Sequence, residues 1–328
     1  MRRAAARIVG GLGVLGLLAG GTATLARYIP PGWAPTSPDA WGALTAFTDL
    51  GVLGYLLALL GLGGSLLLRF STRRLVLIGL TVGLAVVQIW WIVPRFVPAP
   101  RGVATAPVTV FSLNMQFGRA DPEEIVRATG QADLVVLLEI TEPARERLLA
   151  AGLGRRFSHE LGNHLPQNTS AGTTVFSRFP ILHAEQLPAT MAHQNWLVTV
   201  QLPGLGPVLV VAAHPGRPGF GKSAWASDHQ VLRASLPRHG PVVVAGDFNA
   251  VESHWPMRRL RDDGFRSSTD LAGAGWQPTW PADRVRLPPL VDIDHILLSR
   301  ELTAYASWRV RIDGTDHLAI GATIDHRA

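Results

Sequence analysis

Three long apolar stretches in the first hundred residues constrain this chain more than any other feature. They cover about residues 8–25, 46–68 and 75–97. Each is long enough to cross the roughly 30 Å hydrocarbon layer of a bilayer, which takes about 20 helical residues. They are apolar on every side, so they are not amphipathic helices on the surface of a soluble protein. The sequence therefore predicts a membrane domain over residues 1–100 with three transmembrane α-helices, and a second domain over residues 101–328.

The distribution of arginines predicts how these helices are oriented. Arginines precede the first helix and fill the loop between the second and third, at Arg2, Arg3, Arg7, Arg69, Arg73 and Arg74. The connection between the first two helices contains Asp39 and several prolines, and tryptophans such as Trp33 lie near this end of the helices. Positively charged loops stay on the cytoplasmic side, so domain 101–328 of this multi-pass plasma-membrane protein is expected outside the cytoplasm. An alternative is a cleaved signal peptide at the first stretch, which leaves that domain on the same side.

The net charge excludes a strongly basic second domain. The chain carries a formal net charge of +6, and the first hundred residues account for it with eight arginines against two aspartates. The remaining twenty-two basic and twenty-two acidic residues balance, whereas nucleic-acid-binding domains usually carry clustered positive charge. The chain has no cysteine, which excludes disulfide bonds and thiolate metal sites.

Polar residues follow directly after several predicted strands of the second domain. Apolar runs predict strands at residues 108–113, 134–138, 173–176, 197–202, 208–212, 242–245 and 295–298, and other patterns predict helices at 121–129, 142–151 and 223–236. Asn114, Glu139, His214, Asp247 and Asn249 each come shortly after such a run. Taken singly, such residues are more commonly turn or cap residues. Because strand ends can converge at one edge of a sheet, their joint order predicts a shared site.

The order of these residues resembles the endonuclease/exonuclease/phosphatase superfamily. The resemblance is carried by SLNMQ around Asn114, LLEI around Glu139, SRFP from Ser177, His214, GDFN from Gly246, DIDHIL from Asp292 and GTDH from Gly314, and it spans about residues 106–325. It implies a DNase I-like fold, which is a four-layered α/β sandwich, and metal-dependent hydrolysis of phosphoesters. The family often has tyrosine where this chain has His295, and we expect His295 to be a structural residue of the sheet.

The resemblance also implies roles for individual residues. The implied ligands of Mg²⁺ or Mn²⁺ are Asn114, Glu139, Asp247 and Asp316, which offer the oxygen atoms that these ions prefer. The implied catalytic residues are His214, Asp247, Asn249, Asp294 and His317. The implied phosphate-binding residues are Asn114, Arg178, His214 and Asn249. Asp247 would orient or deprotonate the attacking water, and His317, oriented by Asp294, would act as general base or stabilise charge on the phosphate. The other histidines are expected at the surface or rim, among them His159, His164, His193, His229 and His254.

The substrate is not implied by the family, because its fold serves nucleases and phosphatases alike. A neutral domain tethered to membrane helices outside the cytoplasm favours a lipid-linked phosphate or pyrophosphate of the cell envelope, of the undecaprenyl pyrophosphate type. The domain organisation is similar to membrane proteins associated with teicoplanin resistance, so antibiotic resistance is an expected context. No obligate protein partner is implied.

Two other functions stay open. A surface-anchored nuclease acting on extracellular DNA or RNA would be favoured by a groove lined by Arg155, Arg156, Arg178, Arg217, Arg258, Arg259 and Arg261. A binding or sensor protein that has lost its chemistry is the third possibility. The presence of Glu139, Asp247, Asn249, Asp294 and His317 argues against that one.

Overall fold

The computed structural model describes residues 2–29, 37–161, 167, 169–219, 224–283 and 287–327. Trp33 and His164 lie outside these residues. The chain divides into two compact units. The first contains the residues up to Pro94 together with Ser253–Trp255, and the second contains Arg95–Glu252 together with the residues from Pro256 onward.

The first unit is helical. Its helices are α1 (Arg2–Tyr28), α2 (Pro38–Thr45), α3 (Gly51–Leu68) and α4 (Thr72–Ile92). Three helical segments, Arg2–Tyr28, Asp39–Leu68 and Thr72–Phe96, are long and apolar enough to cross a membrane. The three predicted apolar helices are therefore confirmed.

Small residues and buried polar groups hold these helices together. A Cβ atom added to Gly61 of α3 would lie 2.5 Å from the backbone nitrogen of Gly13 in α1, so the two helices touch through their backbones. Thr24 Oγ1 lies 2.6 Å from the hydroxyl of Tyr55 and donates to Gln88 Oε1 at 2.8 Å. Hydrogen bonds between α1, α3 and α4 thus satisfy polar groups that apolar surroundings would otherwise leave without partners.

The second unit contains two sheets with helices outside them. Its helices and strands are β1 (Val108–Asn114), α5 (Pro122–Ala128), β2 (Leu134–Leu138), α6 (Glu142–Ala150), β3 (His159–Leu161), β4 (Thr173–Ser177), β5 (Ile181–Gln186), β6 (Trp196–Leu202), β7 (Gly206–Ala213), α7 (Trp225–Ser235), β8 (Val242–Asp247), α8 (Trp255–Asp262), β9 (Arg266–Ser267), α9 (Ser268–Ala272), β10 (Asp294–Leu298), β11 (Leu302–Val310) and β12 (Ala319–His326). The strand orders are β11-β12-β1-β2-β4-β3 and β5-β6-β7-β8-β10-β9.

The hydrophobic core lies between the two sheets. Val110 and Val136 from the first sheet pack with Val210 and Ala245 from the second, and these side chains are inaccessible to solvent. A second core forms between the first sheet and helices α5 and α6. Asp121 caps α5 by accepting a hydrogen bond from the Glu124 amide at 2.9 Å, and proline follows at the first helical position. The predicted DNase I-like α/β sandwich is confirmed.

The strand directions bring the chemistry-bearing residues to one edge of the sandwich. Strand β1 runs parallel to β2, and β7 runs parallel to β8, so each pair ends on the same side. Strand β10 is antiparallel to β8, which places its first residue, Asp294, directly opposite Asp247. Strand β12 is antiparallel to β1, so the turn before β12 returns to Asn114 at the end of β1.

Candidate active site

Residues from both sheets meet at this edge. We call the set formed by Asn114, Glu139, His214, Asp247, Asn249, Asp294, Asp316 and His317 the carboxylate cluster. Asn114 joins the sheets because its amide nitrogen donates to Glu139 Oε1 at 3.1 Å and to Asp247 Oδ2 at 3.0 Å. The Asn114 side-chain oxygen accepts from the Gln116 amide at 2.9 Å. In this arrangement Asn114 positions two carboxylates through its amide nitrogen, while its side-chain oxygen accepts from a backbone amide.

Two residues of the cluster have unusual backbone conformations. Glu139 has φ of 52° and Asn249 has φ of 48°, in the left-handed region that costs a residue other than glycine roughly 1–3 kcal/mol. Hydrogen bonds fix both turns: the Phe117 amide donates to Glu139 Oε2 at 3.0 Å, and the Asn249 amide donates to Asp247 Oδ1 at 2.7 Å. The chain turns sharply after β2 and β8, and these turns direct the carboxylates of Glu139 and Asp247 into the cluster.

His317 is held by Asp294 and is positively charged. Its Nδ1 lies 2.9 Å from Asp294 Oδ2, and its Nε2 lies 3.8 Å from Asp247 Oδ2. Burial alone would lower the pKa of His317, but the charges of Asp294 and Asp247 and the hydrogen bond to Asp294 raise that pKa to about 10. His317 is therefore protonated at neutral pH, which suits it to stabilise negative charge on a phosphate rather than to accept a proton from water.

Asp247, in contrast to His317, is suited to accept a proton. Burial and the negative charge of Asp294 raise the pKa of Asp247 to about 7, although His317 and the hydrogen bonds from Asn249 and Asn114 oppose this rise. A carboxylate with a pKa near neutrality is a good proton acceptor at physiological pH. Of the two roles that the sequence left open for His317, the electrostatics favour charge stabilisation and leave proton acceptance to Asp247.

His214 belongs to the cluster together with a histidine that the sequence did not identify. His214 Nε2 lies 3.8 Å from Asp247 Oδ2, and burial, followed by the charges of His193 and His317, lowers the pKa of His214 far below its usual value. His193 stacks on His214 with ring centroids 3.7 Å apart and an interplanar angle of 7°. Asn195 accepts a hydrogen bond from the His214 amide at 2.6 Å. His193 is half-buried, so it lies at the rim as expected, and its stacking on His214 adds a contact that the sequence did not predict.

The donor atoms fit a hard divalent cation. Ligand atoms of Asp247, Asp294 and His317 lie within 4.8 Å of one another and all three residues are buried, although a protonated His317 has no lone pair for a metal and leaves the carboxylates as the donors. Asp294 Oδ1 is buried and has no hydrogen-bond partner among the described residues. Glu139 adds two more oxygens beside Asp247, through the shared contact with Asn114. Several carboxylate oxygens with surplus negative charge match the ligand preference of Mg²⁺ and Mn²⁺.

Of the other expected site residues, Asp316 and Asn249 also contact residues outside the cluster, and Arg178 lies away from it. Asp316 lies at the rim, where its Oδ2 accepts from the Trp280 indole at 3.0 Å and its Oδ1 is 3.9 Å from His317 Nε2. Asn249 donates through its side-chain nitrogen to the Pro215 carbonyl oxygen at 3.1 Å. Arg178 does not join the cluster, so its expected role in phosphate binding at this site does not fit the structure. It follows β4 at the end of the sheet opposite Glu139 and pairs with Asp133 at 3.1 Å.

Three further histidines, His295, His229 and His254, are buried outside the carboxylate cluster. His295 lies in β10, where Nε2 is 2.8 Å from the Ala250 carbonyl oxygen and the ring packs edge-on against Phe248. This agrees with a structural role. His229 and His254 are buried rather than at the surface or rim, and His229 Nε2 lies 2.9 Å from the Phe248 carbonyl oxygen. His229 and His295 thus support the turn after β8 through its carbonyl oxygens.

Comparison with solved structures identifies the same fold in several bacterial proteins. An endonuclease/exonuclease/phosphatase protein from Beutenbergia cavernae is 19% identical, with a TM-score of 0.55 over 68% of this chain and 72% of that one. A protein of the same description from Bacteroides vulgatus is 15% identical, with a TM-score of 0.55 over 68% of this chain and 100% of that one. A mannosyl-6-phosphatase from Bacteroides thetaiotaomicron is 14% identical, with a TM-score of 0.50 over 66% and 99% of the two chains.

No protein of curated function matches the chain. The family model described as "Endonuclease/Exonuclease/phosphatase family" matches residues 111–317, which include every member of the carboxylate cluster. This match covers more than half of the chain. The chain therefore belongs to the endonuclease/exonuclease/phosphatase family.

Proposed function

We propose that this protein is a membrane-anchored, metal-dependent phosphohydrolase with an extracytoplasmic active site, acting on a lipid-linked phosphate or pyrophosphate of the cell envelope. The observation that carries the proposal is the carboxylate cluster, with His317 charged against Asp294 and Asp247. The same chain contains three helices that are long and apolar enough to cross a membrane. A phosphohydrolase anchored in this way meets its lipid substrates in the bilayer that holds it.

The residues of the cluster divide the chemistry among them. Glu139 and Asp247 would hold a Mg²⁺ or Mn²⁺ ion, and this ion would supply positive charge to the phosphate oxygens. Asp247 would also orient the attacking water molecule and take its proton. His317, protonated through Asp294, stabilises the charge that builds on the phosphate, and His214 donates a further hydrogen bond. This assignment requires no residue outside the cluster.

Three of the seven arginines that would favour a nuclease lie away from the cluster. Arg155, Arg156 and Arg178 line a cavity of about 490 Å³ together with apolar side chains such as Leu153 and Phe157. Arg178 follows Ser177, which pairs with Leu134 at the start of β2, whereas Glu139 follows the end of that strand. These three arginines therefore cannot line a groove over the carboxylates, and the neutral charge of residues 101–328 supplies no general attraction for nucleic acid.

The test compares substrates on the full-length protein in detergent with Mg²⁺. Phosphate release from undecaprenyl pyrophosphate and cleavage of single- and double-stranded DNA are measured in parallel, with His317→Ala as the blank. Asp325→Asn is the matched control, because Asp325 lies in β12 and caps the Thr105 and Ala106 amides instead of joining the cluster. Release from the lipid without cleavage of DNA supports the proposal. Cleavage of DNA without action on the lipid overturns it in favour of a surface-anchored nuclease.

A further inference from the structure

The turn after β1 has left-handed backbone angles that residues such as Gln116 and Phe117 rarely adopt. Gln116, Phe117 and Gly118 have φ angles of 46°, 57° and 69°, so three consecutive residues are left-handed. This conformation is cheap for glycine and tolerable for asparagine, whereas a bulky side chain rarely adopts it. Phe117 therefore occupies a position where a smaller residue would be less strained.

Phe117 is also exposed at this strained position. Its side chain is 49% exposed, whereas Met115, two residues earlier, is 1% exposed and belongs to the core. Isolated apolar residues on a surface are ordinary. Here exposure and backbone strain fall on the same aromatic residue, and strain of this kind concentrates at ligand-binding sites.

The carboxylate cluster fixes the backbone that carries this aromatic ring. The Phe117 amide donates to Glu139 Oε2 at 3.0 Å, and the Gln116 amide donates to Asn114 Oδ1 at 2.9 Å. On the other side, a Cβ atom added to Gly118 would lie 2.7 Å from the side chains of Ala144 and Thr141, so the turn is packed against α6. The backbone of Phe117 is thus held beside a candidate metal ligand, Glu139.

A positive charge accompanies the ring. The guanidinium carbon of Arg119 lies 5.6 Å from the centroid of the Phe117 ring, within the range of a cation–π contact. Arg119 is exposed, and its amide donates to the Met115 carbonyl oxygen at 2.8 Å, which closes the turn. Phe117 and Arg119 together offer one apolar face and one cation next to the cluster.

We propose that Phe117 and Arg119 recognise an amphiphilic phosphoester, with its apolar chain against the Phe117 ring and an anionic group beside Arg119. This inference rests on the proposed function and defines its substrate as a phosphate or pyrophosphate joined to a hydrocarbon chain. The aromatic ring selects the chain, and the adjacent cluster hydrolyses the phosphate.

The experiment uses two prenyl pyrophosphates that share a headgroup and differ in chain length, with the full-length protein in detergent and Mg²⁺. Phe117→Ala is expected to raise KM for the long-chain substrate about fivefold relative to the short-chain one. About half of the Phe117 side chain is exposed in the free protein, and a long substrate chain would bury it. Phe117→Leu is expected to restore most of this difference. Arg119→Gln is expected to raise KM for both substrates, since both carry the anionic group.

Leu182→Ala is the matched control, since Leu182 is 55% exposed on β5 of the other sheet and is not part of this turn. Equal chain-length selectivity in wild type, Phe117→Ala and Leu182→Ala would overturn this inference while leaving the proposed function intact. A wild-type protein that cleaves neither prenyl substrate would overturn the proposed function. If it instead cleaves an oligonucleotide, and Phe117→Leu loses as much as Phe117→Ala, the ring stacks on bases and the lipid assignment is wrong.

Discussion

Replacing Asp294 by asparagine tests whether His317 acts in its protonated form. The substitution keeps the shape of the side chain and removes its charge, 2.9 Å from His317 Nδ1. In the structure Asp294 is one of three carboxylates, together with Asp247 and Asp316, whose charges keep His317 protonated against the effect of burial. The variant therefore separates the charge of His317 from its position.

The magnitude follows from the distance. Two unit charges 2.9 Å apart interact by about 6 kcal/mol at an effective dielectric constant of about 20, which corresponds to about 4 pKa units. The pKa of His317 is raised to about 10 with Asp294 charged. Without that charge, the continuing burial of the ring brings the pKa down to the ordinary histidine value of about 6.5 or below it. His317 would then be neutral above neutral pH.

The expected result is a pH-dependent loss of activity. A group with a raised pKa is protonated below that pKa, so wild-type His317 stays charged throughout the neutral range. At about pH 8 the Asp294→Asn variant should lose at least about 30-fold in kcat, because about 1.5 pH units above a pKa of about 6.5 only about one His317 side chain in thirty is protonated. As the pH falls towards the new pKa, its rate relative to wild type should rise about tenfold per pH unit.

Initial rates of phosphate release by the full-length protein at saturating Mg²⁺ measure this ratio. Asp325→Asn is again the control, because Asp325 is as deeply buried as Asp294 and lies at the far end of β12. A ratio that stays constant over this pH range would refute the reasoning. It would mean that His317 does not act in its protonated form, or that Asp294 acts only by orienting the ring.

Three further outcomes are expected. Chelation should abolish activity, Mg²⁺ or Mn²⁺ should restore it, and Glu139→Gln should lower it by at least about 100-fold with either ion; full activity after chelation would contradict a metal site. Since the chain has no cysteine, a membrane-impermeant maleimide should label Leu182→Cys in intact cells and Arg73→Cys only after permeabilisation, and the reverse pattern would contradict the proposed orientation. Arg95→Gln should destabilise the second unit by about 3 kcal/mol, because it removes the cation 3.3 Å from buried Asp292; an unchanged urea midpoint would contradict this.

Strands that are buried along their whole length were predicted from the sequence, because burial on both faces produces a continuous apolar run. Strands β2 and β8 are buried along their whole length, and their continuous apolar runs were assigned within two residues of the observed bounds. Strand β5 was missed because it is an edge strand with four exposed residues among six, so its sequence reads as polar. Strand β11 was missed because only its first three residues are buried, and the remainder resembles a loop.

The candidate site was predictable where polar residues follow strands, and less so elsewhere. Asp247 and Glu139 come immediately after apolar runs, and their position at a common edge follows from strand direction. Arg178 also follows a strand, but β4 is antiparallel to β2 and ends at the opposite edge. His193 comes before β6, so its stacking on His214 depended on tertiary structure that no local pattern recorded.

The register between β8 and β10 explains why the site requires positive charge. Asp247 and Asp294 are directly opposite in an antiparallel pair, and both are buried, so their like charges repel. One charged His317 shared between two carboxylates leaves a net negative charge, to which Glu139 adds. A cation bound there stabilises the folded state by mass action as well as serving catalysis. The strand register that sets these two carboxylates against each other would therefore favour the proposed divalent cation at this edge, so that metal affinity and fold stability would both depend on it.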